Sequence, residues 1–525
     1  MMKPVPRLRL FISVTFVLCL FVVFQIHKSD LFGKNLQITH QVNNFFISIA
    51  SSSHHQTLNL TKYSNESEGN KAQQPESEAT DTCAGRYIYM HDLPSIYNDD
   101  IIKDCRPLIK WFDMCPFMVN SGLGPQVLEH ANKTSQVLTT KTGSWYSTNQ
   151  FLLSVIFRER MKHYECLTND SSLASAVYIP YYPGFDVSRH LWGYNTTVRD
   201  ALATKLARWL RERPEWNKMY GRDHFFVAGR IGWDFRRCSE DSEWGSNLMC
   251  LPEFSNTTML SIETTAWTNE FAVPYPTYFH PKSLTEVRIW QRKVKSVKRR
   301  HLFCFVGAPR PTLDGSIRGV IINQCLASHG KCKFLNCNEP GNDCDNPVKI
   351  MDVFQRSVFC LQPSGDSYTR RSISDSILAG CIPVFFHPGS GYKQYMWYFP
   401  KDYTKYSVYI PDNGMKNGTV SLRDLLGGID KESILRMRNE VVKIIPKIIY
   451  TKPGLVGPKK IEDAFDIAVD RVIQRVATVK RMMEEGKDLQ GEYSQTRDLK
   501  KLETASGSSS HKELIRIIQY PDYIN

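Results

Sequence analysis

Between residues 302 and 386 the chain alternates short apolar runs with helical stripes: Leu302 to Val306, then Ile317 to Ser328; Lys333 to Asn336, then Val348 to Arg356; Val358 to Leu361, then a helix with Arg370 and Arg371 in its first turn, Ile373, Ile377 and Leu378 on one face and Gly380 at its close; and last Ile382 to Phe386. Strands alternating with helices this closely predict a parallel sheet covered on both faces. An earlier series repeats the pattern more loosely, with strands in "GRYIYM", "SAVYIPYY" and "DHFFVAG" and a helix over Thr196 to Arg213 that carries Leu202, Leu206, Trp209 and Leu210 on one face. A basic run, Lys282 to Arg300, divides the two series. With 525 residues the chain is long enough for both cores. The expectation is an α/β protein of two Rossmann-like domains, residues 83–290 and 291–485, the second closed by helices over Lys431 to Ile445 and Ile461 to Glu485.

The N-terminus sets the compartment. Lys3, Arg7 and Arg9 precede an apolar run from Leu10 to Phe24, short for a spanning helix of roughly 17–25 residues. No small-x-small cleavage site follows promptly, so an uncleaved signal anchor over 10–26 is favoured over a signal peptide, with residues 1–9 cytoplasmic and the remainder lumenal. Residues 27–82 are polar and aperiodic, a flexible stem; residues 486–525 form a polar tail. Sequons at Asn59, Asn65, Asn132, Asn169, Asn195, Asn256 and Asn417 all lie beyond the anchor, as do thirteen of the 14 cysteines. A lumen lets those cysteines pair, and the odd number leaves one over. The net charge of +13 suits an anionic partner, and the secretory route argues against nucleic acid.

Ligands of open α/β sheets sit beyond the carboxyl ends of the strands. In the second series two loops there are basic: "GAPRPTLDGSIRG", with Arg310 and Arg318, and "QPSGDSYTRR", with Ser367, Thr369, Arg370 and Arg371. Two cations at a helix start oppose the helix dipole. A diphosphate held by arginine forks and backbone N–H groups would account for them, with Asp375, one turn on, accepting ribose hydroxyls. The alternative is an Arg–Asp pair at i,i+4. In the first series His91, Asp92, Asp186, Asp223, His224 and Asp234 follow or begin strands, as bases or as turn and cap residues. "HPGSGYKQYMWYFP" offers Tyr392, Tyr395 and Trp397 either to sugar rings or to a core. "DCD", Asp343 to Asp345, has the spacing of a metal–sugar-nucleotide motif but sits among cysteines, which favours disulfides over metal. The basic run reads as a solvated linker helix, or as a patch for acidic lipid or polymer.

"YIYMHDLPSIYN", "GRDHFFVAGRIGWDFRR", "FVGAPRP…SIRG" and "QPSGDSYTRRSISDSILAGCIPVFFHPGSGYKQYMWYFP", in this order, resemble the exostosin-like family 47 glycosyltransferases, and within them the plant xyloglucan galactosyltransferases of the katamari type. The resemblance runs from about residue 84 to 480. It implies a GT-B fold, an N-terminal acceptor domain and a C-terminal nucleotide-sugar domain. It also implies inverting transfer without metal or other cofactor from a UDP-sugar, most simply UDP-galactose, to xyloglucan at the Golgi membrane, where other cell-wall glycosyltransferases are candidate partners. Donors carrying galacturonate, arabinose or xylose remain open, as do an inactive lumenal binding protein and a hydrolase. Asp375 corresponds to the family's ribose-contacting acid, and Arg310 and Arg318 to its basic donor positions. Many relatives carry arginine three residues before that acid; here Ser372 stands there, with arginines four and five before. Asp186, then Asp234, are the expected bases, with His224 a neighbour, and His91, Asp92, Tyr392, Tyr395 and Trp397 are expected on the acceptor side.

Overall fold

The computed structural model describes residues 81–128, 136–238, 244–265, 268–340, 344–454 and 461–487. The expected anchor, stem and tail, the sequons at Asn59, Asn65 and Asn132, and Asp343 lie outside the described residues. Among the described residues no helix is long and apolar enough to cross a membrane.

Two parallel sheets organise the body. The first holds β1 (Ile88–Met90), β2 (Leu167–Thr168), β3 (Ala176–Tyr178), β4 (His224–Val227), β5 (Thr258–Ser261) and β6 (Glu270–Ala272), in the order 2-1-3-4-5-6. The second holds β7 (His301–Gly307), β8 (Cys332–Asn336), β9 (Ser357–Gln362), β10 (Ile382–Phe385) and β11 (Val408–Tyr409), in the order 11-10-9-7-8. Each sheet turns back at its first strand, so each has a switch point, between β1 and β3 and between β7 and β9. Loops diverge there and leave a crevice at the carboxyl ends. Two parallel sheets of this kind are consistent with a GT-B-like glycosyltransferase.

The main helices are α1 (Leu153–Met161), α2 (Pro183–His190), α3 (Thr196–Arg211), α4 (Leu284–Ser296), α5 (Arg318–Leu326), α6 (Pro347–Gln355), α7 (Arg371–Leu378), α8 (Lys431–Ile444) and α9 (Ala464–Glu484). Helix α7 buries Ile373, Ile377 and Leu378 and stops where Gly380 turns to φ +65°; a Cβ there would also come within 3.3 Å of Val294. Strand β10 follows at once, fully buried.

Two helices depart from expectation. The basic run forms α4, but it is not a solvated linker: Val287, Trp290 and Val294 are buried and Trp290 Nε1 donates to Leu378 O at 2.8 Å. Arg299, just beyond it, donates to the carbonyls of Phe354, Ser357, Ala379 and Gly380. The last helix, α9, returns to the first lobe. Phe465 packs 4.7 Å from Phe157, and Arg160 of α1 pairs at 3.2 Å with Asp463, the fully buried capping-box residue of α9.

Six disulfides join Cys83–Cys166, Cys105–Cys115, Cys238–Cys250, Cys325–Cys332, Cys337–Cys344 and Cys360–Cys381. Cys304 is the buried thiol left over. Its burial pushes it up to about 12, so it stays protonated and inert at neutral pH.

Candidate active site

Strand β7 runs out into residues 308–317 and β9 into residues 363–370, and the two loops meet over the second switch point. One guanidinium staples them: Arg318 donates from Nε to Ser364 O and from Nη1 to Ala308 O, both at 3.0 Å. Arg370 donates from Nη1 to Ser367 Oγ and Thr369 O, both at 2.7 Å. Asp366 is shared, with Arg310 Nε at 3.4 Å and Arg370 Nη2 at 3.8 Å, yet it is 73% exposed. Burial and the charges of Arg370 and Arg310 hold Arg318 down to about 10. Three cations therefore face one solvated carboxylate, and the buried Arg370 Nη2 has no hydrogen-bond acceptor among the described residues. An anion with several oxygens would relieve both conditions.

Arg371 points elsewhere. Its Nε donates to Asp375 Oδ2 at 3.2 Å, its Nη1 to the Thr148 carbonyl of the first lobe, and its guanidinium carbon lies 3.7 Å from the Tyr278 ring centre. Asp375 is buried with it; burial raises that carboxyl while Arg371 opposes the rise. The structure thus places the i,i+4 pair between the lobes rather than on the surface. Arg371 and Asp375 pair with each other and not with Asp366, and each keeps one buried polar atom, Nη2 and Oδ1, without a hydrogen-bond partner among the described residues.

The loop after β9 is gripped from across the cleft by Glu263, which follows β5. Its carboxylate accepts from Tyr368 N at 3.1 Å, Thr369 N at 2.8 Å and Thr369 Oγ1 at 2.7 Å. Sequence reasoning missed this residue. The signal was "TTMLSIE", a compact apolar run ending in an acid. Gly232 N donates to Glu263 O at 2.8 Å, joining the grip to the turn that carries Asp234.

Asp186 and Asp234 both lie beside the first sheet's carboxyl-end loops, buried and engaged. Asp186, in the first turn of α2, accepts from Tyr181 Oη at 2.6 Å and from Arg189 Nη2 at 2.7 Å. Burial raises its carboxyl above the usual range, with Arg189 opposing. Asp234 accepts from Arg230 Nε at 2.6 Å and Trp244 Nε1 at 2.8 Å. Arg230 Nη1 also reaches Ser188 Oγ at 3.3 Å, tying the two segments. Buried Tyr275 feels the charges of Glu263, Arg370 and Arg230 at once, so the basic loop of one lobe and the acidic turn of the other share one neighbourhood.

Other expected residues do not join them. His224 opens β4 at its amino end and is fully buried, its Nδ1 2.7 Å from Asp223 Oδ1 and its Nε2 3.1 Å from His91 Nε2. The two imidazoles lie among Trp209 and Trp216. Asp92 is exposed at the turn after β1. Tyr392 packs among Phe385, Tyr403 and Tyr409; Tyr395 donates to Ile262 O at 3.1 Å; Trp397 stacks on Phe271 at 4.6 Å. These rings serve as packing and inter-lobe joints, so the core alternative for that stretch is the one the structure takes. Asn169, Asn195 and Asn417 are exposed and Asn256 is half-buried. The only group of three metal-ligating side chains close together among the described residues is Cys304, Cys360 and Cys381, two of which are disulfide-bonded.

The buried imidazoles give an acid-stability prediction. Burial, then the neighbouring His224, holds His91 down to about 3, and burial holds His280 to about 4, against an ordinary value of 6.5. From pH 6.5 downward the unfolded chain takes up protons that the folded chain refuses, so stability falls as pH falls. Two rings contribute about 2–3 kcal/mol per pH unit. Asp186 and Asp375, whose carboxyls are raised, oppose part of this. The melting temperature is expected to drop steadily from pH 6.5 to 4.5, and His91→Gln to flatten the slope. A flat wild-type profile would contradict the buried neutral rings.

Two doubly wound lobes, with arginines gathered at one switch point and carboxylates near the other, have the layout of a GT-B-like glycosyltransferase. An exostosin GT47 domain model matches residues 82–425, and the chain belongs to that family of glycosyltransferases. It is 78% identical over 505 residues to the probable xyloglucan galactosyltransferase GT12 of Arabidopsis thaliana, covering 96% of this chain and 99% of that protein. From the same plant, the probable xyloglucan galactosyltransferase GT13 is 66% identical over 403 residues, covering 76% of this chain and 86% of that protein. The xyloglucan galactosyltransferase MUR3 is 49% identical over 410 residues, covering 78% and 65% respectively.

Proposed function

We propose that the protein transfers galactose from UDP-galactose to xyloglucan side chains, inverting the anomeric carbon. The observation that carries this is the cluster of Arg310, Arg318 and Arg370 around one exposed carboxylate, three guanidinium groups disposed for a diphosphate. An acceptor hydroxyl oxygen attacks C1 of the donor sugar as the C1–O bond to the diphosphate breaks, and UDP leaves with the bonding pair. Asp186 takes the hydroxyl proton. Arg310, Arg318 and Arg370 hold the charge that grows on the leaving diphosphate, with Ser367 and Thr369 shaping the loop. Arg371 and Asp375 fix α7 behind it. Relatives named as xyloglucan galactosyltransferases, one of them 78% identical, support both donor and acceptor.

The test is incubation of the purified full-length chain with UDP-galactose and galactose-free xyloglucan oligosaccharides. A mass gain of one hexose per acceptor supports the reading, and no transfer from UDP-galactose removes it. Guanidinium charge here supplies what a divalent cation supplies in metal-dependent transferases, so turnover is expected to persist in EDTA. A loss restored by added Mg²⁺ or Mn²⁺ would overturn that part.

We place the body in the Golgi lumen on a single-pass anchor over residues 10–26. Six disulfides and surface sequons at Asn169, Asn195 and Asn417 support a lumenal body. Removal of N-glycans from the protein made in plant cells is expected to lower its apparent mass.

A further inference from the structure

Most of the aromatic rings that reach solvent lie on the first lobe, Tyr368 of the loop after β9 being an exception. Trp111 is 60% exposed, and its ring centre is 4.9 Å from that of Trp192, which is 5.8 Å from that of Trp244, itself 40% exposed. The stripe ends at a candidate catalytic group, since Trp244 Nε1 donates to Asp234 Oδ1 at 2.8 Å. Trp233, next to Asp234 in the chain, is 61% exposed. Exposed indole rings in contact with one another are an unfavourable use of large apolar surface unless something covers them.

The stripe is also rigidly built. Trp111 and Lys110 stand on a loop closed by the Cys105–Cys115 disulfide, with Leu108 and Ile109 anchored in the core, and Lys110 Nζ lies 5.9 Å over the Trp192 ring. One buried guanidinium clamps the other two segments. Arg199 donates to the carbonyls of His190, Leu191 and Tyr194, which flank Trp192, and to that of Gly245, which follows Trp244. Such prior ordering lowers the entropy lost on binding.

We infer that Trp111, Trp192 and Trp244 form a subsite for the β-glucan backbone of the acceptor, holding glucose units beyond the one whose side chain is galactosylated. This rests on the xyloglucan reading above and deepens it. The C–H faces of β-linked glucose are apolar and its rim is hydroxylated. Each indole meets the next edge to face, at 73° and 76°, so the exposed faces of Trp111 and Trp244 are open to apolar C–H surfaces, while Lys110 is already engaged over the Trp192 ring. Aromatic surface, not charge, dominates the cluster and suits a neutral glucan. Because Trp244, Trp192 and Trp111 follow one another away from Asp234, a longer oligosaccharide reaches more of them and gains contact as it extends.

The test uses the purified full-length chain and calorimetric titration with a short xyloglucan oligosaccharide, a long one, and a pectic galacturonan. Wild type is expected to bind the long xyloglucan oligosaccharide more tightly than the short one. Trp111→Ala and Trp192→Ala are expected to weaken the long one about tenfold, the loss typical of a buried aromatic anchor, and to remove the length dependence, whereas Trp111→Phe retains most of it. Circular dichroism guards against misfolding, and Trp111 stands on an exposed loop where truncation leaves the core intact. Unchanged affinity in Trp111→Ala, no length dependence in wild type, or preference for the galacturonan would overturn the inference. The two readings separate: binding lost with Trp111 in a protein that transfers no galactose keeps the subsite and ends the galactosyl reading. Transfer with Trp111-independent binding does the reverse.

Discussion

Arg370→Ala is expected to bind UDP about 10- to 100-fold more weakly than the parent, while Arg371→Ala keeps its affinity for UDP and loses stability. Adjacent in sequence and identical in chemistry, the two arginines are separated by what they touch. Arg370 is N-cap to α7 with extended backbone (φ −147°, ψ 149°), so its side chain leaves toward Arg310 and Arg318. Hydrogen bonds to a charged partner are worth about 1.5–3 kcal/mol each, and about 1.4 kcal/mol is a decade of affinity. Arg371 is the first helical residue and turns back to Asp375, the Thr148 carbonyl and the face of Tyr278. Removing it leaves a buried carboxylate without its cation, which typically costs about 3–5 kcal/mol. Asp375→Asn in the same chain relieves that burial and is expected to restore part of the melting temperature, a coupling that a double-mutant cycle isolates. Isothermal titration with UDP and thermal melting decide it. Weak UDP binding in Arg371→Ala with a normal Arg370→Ala would reverse the assignment.

That distinction shows where sequence reading stops. The two cations at the start of α7 were conspicuous because they oppose the helix dipole, but spacing alone could not say that one faces a loop cluster and the other the opposite lobe. The strands found in advance were the compact apolar runs, β7 to β10 among them. Strands β2 and β11, two residues each, are too short for any periodic signal. Strand β5 lies in the apolar run "TTMLSIE", which fits the strand pattern as well as "DHFFVAG" does, and passing over it also passes over Glu263. Aromatic content was equally mute. Tyr392, Tyr395 and Trp397 looked like sugar platforms because they follow a strand's functional end. Their rings are consumed by packing, while Trp111, Trp192 and Trp244, on irregular loops, carry the exposed surface. His224 misled in another way. Its neighbour Asp223 suggests a base, but the residue begins its strand instead of ending it, and that position puts it in the core.

Asp186→Asn is expected to lower kcat by about 10²–10⁴, the usual contribution of a general base, with UDP affinity unchanged. Burial raises its carboxyl, so it is a better proton acceptor than a solvated aspartate, and Tyr181 and Arg189 hold both oxygens in place. Asparagine preserves size and can still meet Tyr181, and the abandoned Arg189 is 27% exposed, so water can solvate it and the fold tolerates the change. Asp234→Asn is the contrasting case. Its partner Arg230 is 9% exposed, so neutralising Asp234 strands a buried cation, and the expected signature is a melting temperature lowered by several degrees. The pH profile adds a sign. A base must be ionised to act, so kcat/KM falls as pH drops through the pKa of Asp186, and because burial raises that pKa the acid limb lies above that of an ordinary aspartate near 3.8. Near-normal turnover in Asp186→Asn, or an acid limb that survives the substitution unchanged, would remove Asp186 as the base and leave Asp234 to be tested for the role.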